Sequence, residues 1–275
     1  MSKYRAPLPH FNCKSKFEKI YEENLNNGSF KRINNRKNNE IRDMFIKLGE
    51  DENCGSSCFY SLGNTKILTT VYGPNPDSKY ATYSKGKVFL DVKSLNINTI
   101  GASDRERDND IKSLLIECIS NIILLEKYPQ CSIKIKCLII QDDGGCLSAT
   151  LTCISLALLK AQVQMKDIII SININSIICP VTKKMYHLVD LDGMEEKYYQ
   201  SKYEMNSITL GICLNLKTVC FYHGAGSFFN SKNLAEITSY GECACKSLGS
   251  EIKKVLKQYT KKRIDSIYQK VNVLE

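Results

Sequence analysis

The chain has 275 residues, 43% of them hydrophobic and 24% charged, with a net charge of +9. This apolar content suffices for one large domain, or two small halves sharing a core, and the charge content is not that of a disordered chain. Two classes are disfavoured: no apolar run approaches the ~20 residues of a membrane span, and Met1 to Arg5 lead into polar residues rather than a signal peptide's apolar stretch.

The basic excess gathers at the ends, at Lys31, Arg32, Arg36, Lys37 and Arg42 near the start and at Lys253, Lys254, Lys257, Lys261, Lys262 and Arg263 near the finish. Basic ends suit a polyanion such as RNA, but on charge alone a solvated surface is the plainer reading. The 13 cysteines are scattered. Cys54 and Cys58, like Cys243 and Cys245, lack His or Cys partners at zinc-site spacing. Several lie in apolar runs, as in Val219-Cys220-Phe221, and read as buried thiols in a reducing compartment.

Residues 1–35 read as a basic polar extension, with order beginning near Arg36. Two apolar-rich runs, Ser56 to Leu62 and Thr65 to Tyr72, flank Gly63-Asn64, a two-residue link that fits a tight hairpin. Lys87 to Val92 is a third strand. Residues 94–110 are polar and end in Asp104-Arg105-Glu106-Arg107-Asp108. Ile111, Leu114, Leu115, Cys118, Ile119, Ile122 and Leu125 then form one helical stripe, ended at Tyr128-Pro129.

Ser132 to Ile140 alternates as a strand, and Gln141-Asp142-Asp143-Gly144-Gly145 opens a run from Cys146 to Ala161 that is apolar nearly all round. That run reads as a helix buried inside the domain. A strand over Ile168 to Ile174 and two more at Ser207–Cys213 and Lys217–His223 follow. A last helix starts at Asn233, with Glu236 at capping-box spacing, and its stripe runs from Ile237 to Tyr259. The order predicts an α/β (α+β) fold of two similar βα halves, each a sheet backed by helices.

Several segments in this order resemble the RNase PH family, and within it the ring subunits of the eukaryotic RNA exosome. Asn34-Asn35-Arg36 with Glu40 and Arg42 resembles the family's D-G-R-x-x-x-E-x-R, departing at its first two positions. Gly55-Ser56-Ser57, Gly63-Asn64-Thr65-Lys66 and Val71-Tyr72-Gly73-Pro74 resemble its G-S…G-N-T-K…V-Y-G-P hairpin. Asp142 or Asp143 with Gly144-Gly145, and then Met165-Lys166-Asp167, resembles D-G-G…M-x-D, and Asp190-Leu191-Asp192 with Glu195-Glu196 resembles D-x-x-x-x-E-E/D. Each piece also has a plain reading: Gly63-Asn64 serves any hairpin, Gly144-Gly145 lets any chain turn, and Arg36 to Arg42 could be a solvated strand edge.

The resemblance implies phosphorolysis of RNA from its 3′ end in active members, which needs cations for an attacking phosphate and an acid for the leaving oxygen. Leu147 stands where active members place a phosphate-binding arginine. A helix N-terminus alone attracts an anion only weakly. Glu196 and Glu204 stand, at stretched spacing, where active members carry a pair of aspartates, and they read most simply as part of a solvated loop between strands. Arg107 matches an RNA-contacting arginine, and with Arg105 and Lys112 it forms a basic cluster. That cluster reads either as an RNA contact or as a surface ion-pair network with Asp104, Glu106 and Asp108.

The resemblance therefore implies a non-catalytic exosome ring subunit, with an RNase PH-like domain at 36–260 and a basic tail at 261–275. Its subtype looks closest to the mRNA-transport-regulator type, with ribosomal-RNA-processing types as alternatives. The implied partners are other RNase PH-like exosome subunits, cap subunits and RNA, with no membrane, cofactor or metal. The implied locations are nucleus, nucleolus and cytoplasm. An active phosphate-dependent exoribonuclease and a stand-alone RNA-binding module are the rival expectations.

Overall fold

The computed structural model describes residues 30–49, 56–76, 83–95, 102–179, 183–226 and 231–272. Its first sheet contains β1 (Met44–Gly49), β2 (Ser56–Leu62), β3 (Thr65–Pro76), β4 (Lys87–Ser94) and β5 (Cys131–Gln141), in the spatial order β1-β2-β3-β5-β4. Only the β4–β5 pair is parallel. Helix α1 (Ala102–Ile122) makes the crossover that a parallel pair requires. β2 and β3 form the expected hairpin, pairing Leu62 with Thr65. Of the two turn residues Gly63 alone takes a positive φ, 58°.

The second sheet is antiparallel, in the order β7-β6-β8-β9, from β6 (Ile169–Ile178), β7 (Met185–Val189), β8 (Glu204–Cys213) and β9 (Val219–Ala225). Helix α2 (Cys146–Lys160) lies between the sheets, with nearly all of its side chains buried, as the all-round apolar run requires. Its hydroxyls have a purpose. β7 pairs only with the second half of β6, so Ile169 and Ser171 keep N–H groups free of that neighbour. They donate to Ser155 Oγ at 2.8 Å and Thr152 Oγ1 at 3.0 Å on α2. Buried backbone donors need partners, and here the helix supplies them.

Helix α4 (Ser231–Asn272) covers the second sheet through Ile237, Ala244, Cys245, Leu248 and Ile252, all buried. It starts two residues before Asn233 and continues past residue 260, so 261–272 extend this helix.

Three local expectations are corrected. The polar residues 102–110 are not a connection but the first half of α1, which ends at Ile122 and is followed by a single 3₁₀ turn at Leu125–Lys127. This half is mostly exposed, so it shows no apolar stripe, whereas Ile111, Leu115, Cys118, Ile119 and Ile122 are buried. The stretch after Asp192 is not a loop but helix α3 (Gly193–Lys202), preceded by the unexpected strand β7. Finally, order does not wait for Arg36. Arg32 and Ile33 are buried, and Phe30 packs on Tyr186 and Tyr199 at 5.2 and 5.6 Å. Most cysteines of the described residues are buried free thiols, and Cys243 is exposed.

Candidate functional site

The turn into α2 and the turn into α3 meet across one cleft of about 620 Å³. The N-terminus of α2 enters it with Gly145 at φ 65° and no side chain capping its first amides. Around the cleft stand Arg107 from α1, Asp142 and Asp143 from the β5–α2 turn, Leu147 from α2, and Glu196 and Lys197 from α3.

Beneath the cleft the chain is tied by buried ions. Arg42 donates to Asp190 through its backbone N, Nε and Nη2 at 2.8, 2.9 and 2.6 Å. The same guanidinium reaches the carbonyls of Asp143 and Gly144 at 2.6 and 3.0 Å. Burial works against its charge, but Asp190 more than offsets this and raises the pKa of Arg42. Thr65 Oγ1 donates to the Gly144 carbonyl at 2.8 Å and accepts from Asp143 N at 3.1 Å, while Asn64 Nδ2 donates to Asp143 Oδ2 at 3.1 Å. Gly193 N donates to the Asp143 carbonyl at 2.9 Å. Gly144 has φ 87°, and a Cβ there would lie 2.6 Å from the Leu191 carbonyl oxygen. This position needs glycine both for its conformation and for close approach.

A second clamp lies alongside. Arg32 holds Glu195 in a fork of 3.1 and 2.6 Å and spends other donors on the Val189 and Asp190 carbonyls at 3.0 and 3.2 Å. Arg36 Nη2 reaches Glu195 Oε2 at 2.9 Å. Glu195 is also the N3 residue of a capping box with Asp192, which starts α3. The Arg36–Arg42 stretch is therefore not a solvated edge: Arg36 and Arg42 are largely buried and ion-paired.

The structure brings Arg107, Leu147 and Glu196 together in the cleft and leaves Arg105, Lys112 and Glu204 outside it. Arg105 and Lys112 are exposed on α1, and Glu204 is exposed at the start of β8. Arg107 does not pair along its own helix but with Asp142 across the cleft, which raises its pKa against the effect of burial. Asp108 accepts from Ser94 N at 2.9 Å. Glu196 has its pKa raised, first by burial and then by Asp142. Asp142, Asp143 and Glu196 outnumber Arg107 and Lys197, so the charged side chains of the cleft do not favour an anion.

Residues 40–164 match the RNase PH family described as 3′ exoribonuclease family, domain 1, and both sheets with their helices follow that fold. The fold is RNase PH-like. The chain is 25% identical over 62% of its length, and 68% of the relative's, to the exosome complex component RRP41-like of Arabidopsis thaliana. It is 32% identical over 50% of its length, and 59% of the relative's, to the putative exosome complex component RRP41 of Caenorhabditis elegans. Among solved structures, rice Rrp46 superposes with a TM-score of 0.65 at 20% identity, covering 81% of this chain and 98% of that one.

Parts of four of the segments that carry the RNase PH likeness meet in the knot beneath the cleft. Arg42, Asn64-Thr65, Asp143-Gly144 and Asp190 all belong to it. Where the family motif has Asp-Gly, this chain has Asn34-Asn35. Asn35 keeps the left-handed conformation at φ 58°, which asparagine tolerates. Sequence reasoning missed Arg32, whose partner lies 163 residues away. It also missed α3, for which Asp192 and Glu195 at capping-box spacing were an available signal.

Proposed function

We propose that this chain is a non-catalytic RNase PH-like subunit of an exosome core ring, supporting 3′→5′ RNA processing through assembly and RNA passage. One observation carries the silence: the first turn of α2 presents Leu147 to the cleft where the family's phosphate-binding arginine would stand. A leucine offers a phosphate nothing. The cations that remain are Arg107, which is committed to Asp142, and Lys197, and both face Glu196. A phosphate nucleophile entering beside an RNA phosphate needs a net positive site.

Ring membership is supported by the exosome designations of its relatives. These also favour an RRP41-type subunit over the mRNA-transport-regulator type. The partners would be other RNase PH-like subunits, cap subunits and RNA, in nucleus, nucleolus and cytoplasm. Affinity capture of the full chain from its native cell tests this. Co-purification of other RNase PH-like subunits in near-equal amounts is the expected result. A chain that elutes alone as a monomer and binds RNA tightly would instead support a stand-alone RNA-binding module.

An active exoribonuclease is the second reading, and one observation favours it. Glu196 has a raised pKa and faces the same cleft as an uncapped helix N-terminus, so an acid and a weak anion site coexist. Its location differs from that of Glu204, and the two do not form a pair in the cleft.

A further inference from the structure

We infer that the far end of α4 is a binding site for the phosphate backbone of RNA, separate from the cleft. Among the described residues, Ile252 is the last one of α4 that the core buries. Beyond it Leu256 and Tyr259 are half-buried, and Tyr259 rests on the C-terminal end of α2, where its hydroxyl meets Lys160 Nζ at 2.8 Å. Residues 260–265 are all exposed, yet the helix continues to Asn272. The cleft lies at the other end of α2, beside Leu147, so the length of that helix, about 20 Å, separates the two places.

An exposed helix end ordinarily carries charges of both signs. Residues 253–265 instead hold six cations, Lys253, Lys254, Lys257, Lys261, Lys262 and Arg263, against one carboxylate, Asp265. Lys254, Lys257 and Lys261 recur at steps of three and four, so they form one stripe, on the side of α4 away from Ile252 and Tyr259. Lys257, Lys261 and the flanking Lys262 are exposed and have no ion pair or hydrogen bond among the described residues. Lys254 meets Glu251 at 2.8 Å and Lys253 meets Asn215 at 3.0 Å, both at the surface.

Helix stability does not account for this stripe. The helix dipole favours cations only within the last turn, and Lys257 lies roughly four turns before Asn272. Like charges at a spacing of four, as in Lys257 and Lys261, repel and weaken a helix. A polyanion laid along the stripe removes that repulsion, and lysines serve a phosphate chain as point charges without reading its bases. A protein partner fits less well. Lysine is depleted at protein interfaces, and the stripe offers no aromatic anchor, Ile264 being its one large apolar side chain. The choice of RNA as the polyanion rests on the exosome reading proposed above, whereas the site itself rests on α4.

The test is the affinity of the full chain for a labelled short oligouridine, measured at about 100 mM salt and across a salt series. Lys257→Glu with Lys261→Glu is expected to weaken binding at least roughly ten-fold and to flatten its salt dependence. Lys257→Arg with Lys261→Arg keeps the charge and is expected to bind within about two-fold of the wild type. The charge-matched pair Lys127→Glu with Lys134→Glu, exposed beside and on the five-stranded sheet, is expected to cost less than about three-fold. Circular dichroism and thermal melting check that each variant is folded. Equal losses for the two glutamate pairs would overturn the proposal, since net charge alone would then explain the binding. Unchanged oligouridine affinity in Lys257→Glu with Lys261→Glu would also overturn it, and lost subunit co-purification in that variant would make the stripe a protein interface. If the wild type captures no RNase PH-like partners while this variant still loses oligouridine, the ring assignment falls and this site stands.

Discussion

Glu195 and Glu196 are adjacent in sequence and face opposite surroundings. Glu195 points into the protein and is held by Arg32 and Arg36. Glu195→Gln keeps the shape but leaves the fully buried Arg32 without its counter-charge, which costs about 3–5 kcal/mol. Denaturant unfolding should show that loss, and an unchanged midpoint would contradict the clamp. Glu196 points into the cleft, where burial and Asp142 hold its proton. The folded chain therefore binds that proton at a pH where the unfolded chain has released it. Stability falls as pH rises from the ordinary carboxylate range through the raised pKa of Glu196. Glu196→Gln removes this fall, so its melting temperature should match the wild type in acid and exceed it at neutral pH. A variant less stable than the wild type at neutral pH would contradict the raised pKa. The likeness of Glu196 to a catalytic acid was legible in the sequence. The burial of Glu195 was not, because nothing local to Glu195 announces an arginine from the start of the chain.

Helix α2 shows why a buried element carries polar residues. Thr152 Oγ1 accepts from Ser171 N at 3.0 Å, whereas the hydroxyl of Thr150 meets Cys146 of its own helix, donating to its carbonyl at 2.8 Å and lying 3.9 Å from its thiol. Thr152→Val leaves a buried N–H unsatisfied and should cost about 1–3 kcal/mol, while Thr150→Val should cost far less. Equal costs in thermal or denaturant unfolding would sink this account of how the helix docks on β6. The apolar run from Cys146 to Ala161 and the alternation around Ile133 to Ile139 were legible because burial on every side, or on one face, imprints itself on composition. α3 was not, since most of its length is polar and its start is marked only by a cap. The first half of α1 was hidden for the same reason: exposed helix has no stripe.

At the scale of the whole molecule, the two sheets are joined by α2 and by the knot of Arg42, Thr65, Asp143 and Asp190. Several residues of the segments that resembled RNase PH from sequence form this knot, so part of the likeness speaks of architecture. The fold was legible because its motifs occur in order across most of the chain. Among the described residues each half is a sheet backed by helices, one mixed with five strands and one antiparallel with four. The cleft was legible only in part: Leu147, Glu196 and Arg107 gather there, but the ring of carboxylates that opposes an anion required the α3 turn to be placed. Capture from the native cell should recover RNase PH-like partners if this architecture belongs to a ring.

The central claim, that the cleft holds no phosphorolytic site, is tested most directly by incubating the purified full chain with 3′-labelled RNA, inorganic phosphate and magnesium. The account predicts that no nucleoside diphosphate is released. Phosphate-dependent release of nucleoside diphosphates by the isolated chain would contradict it.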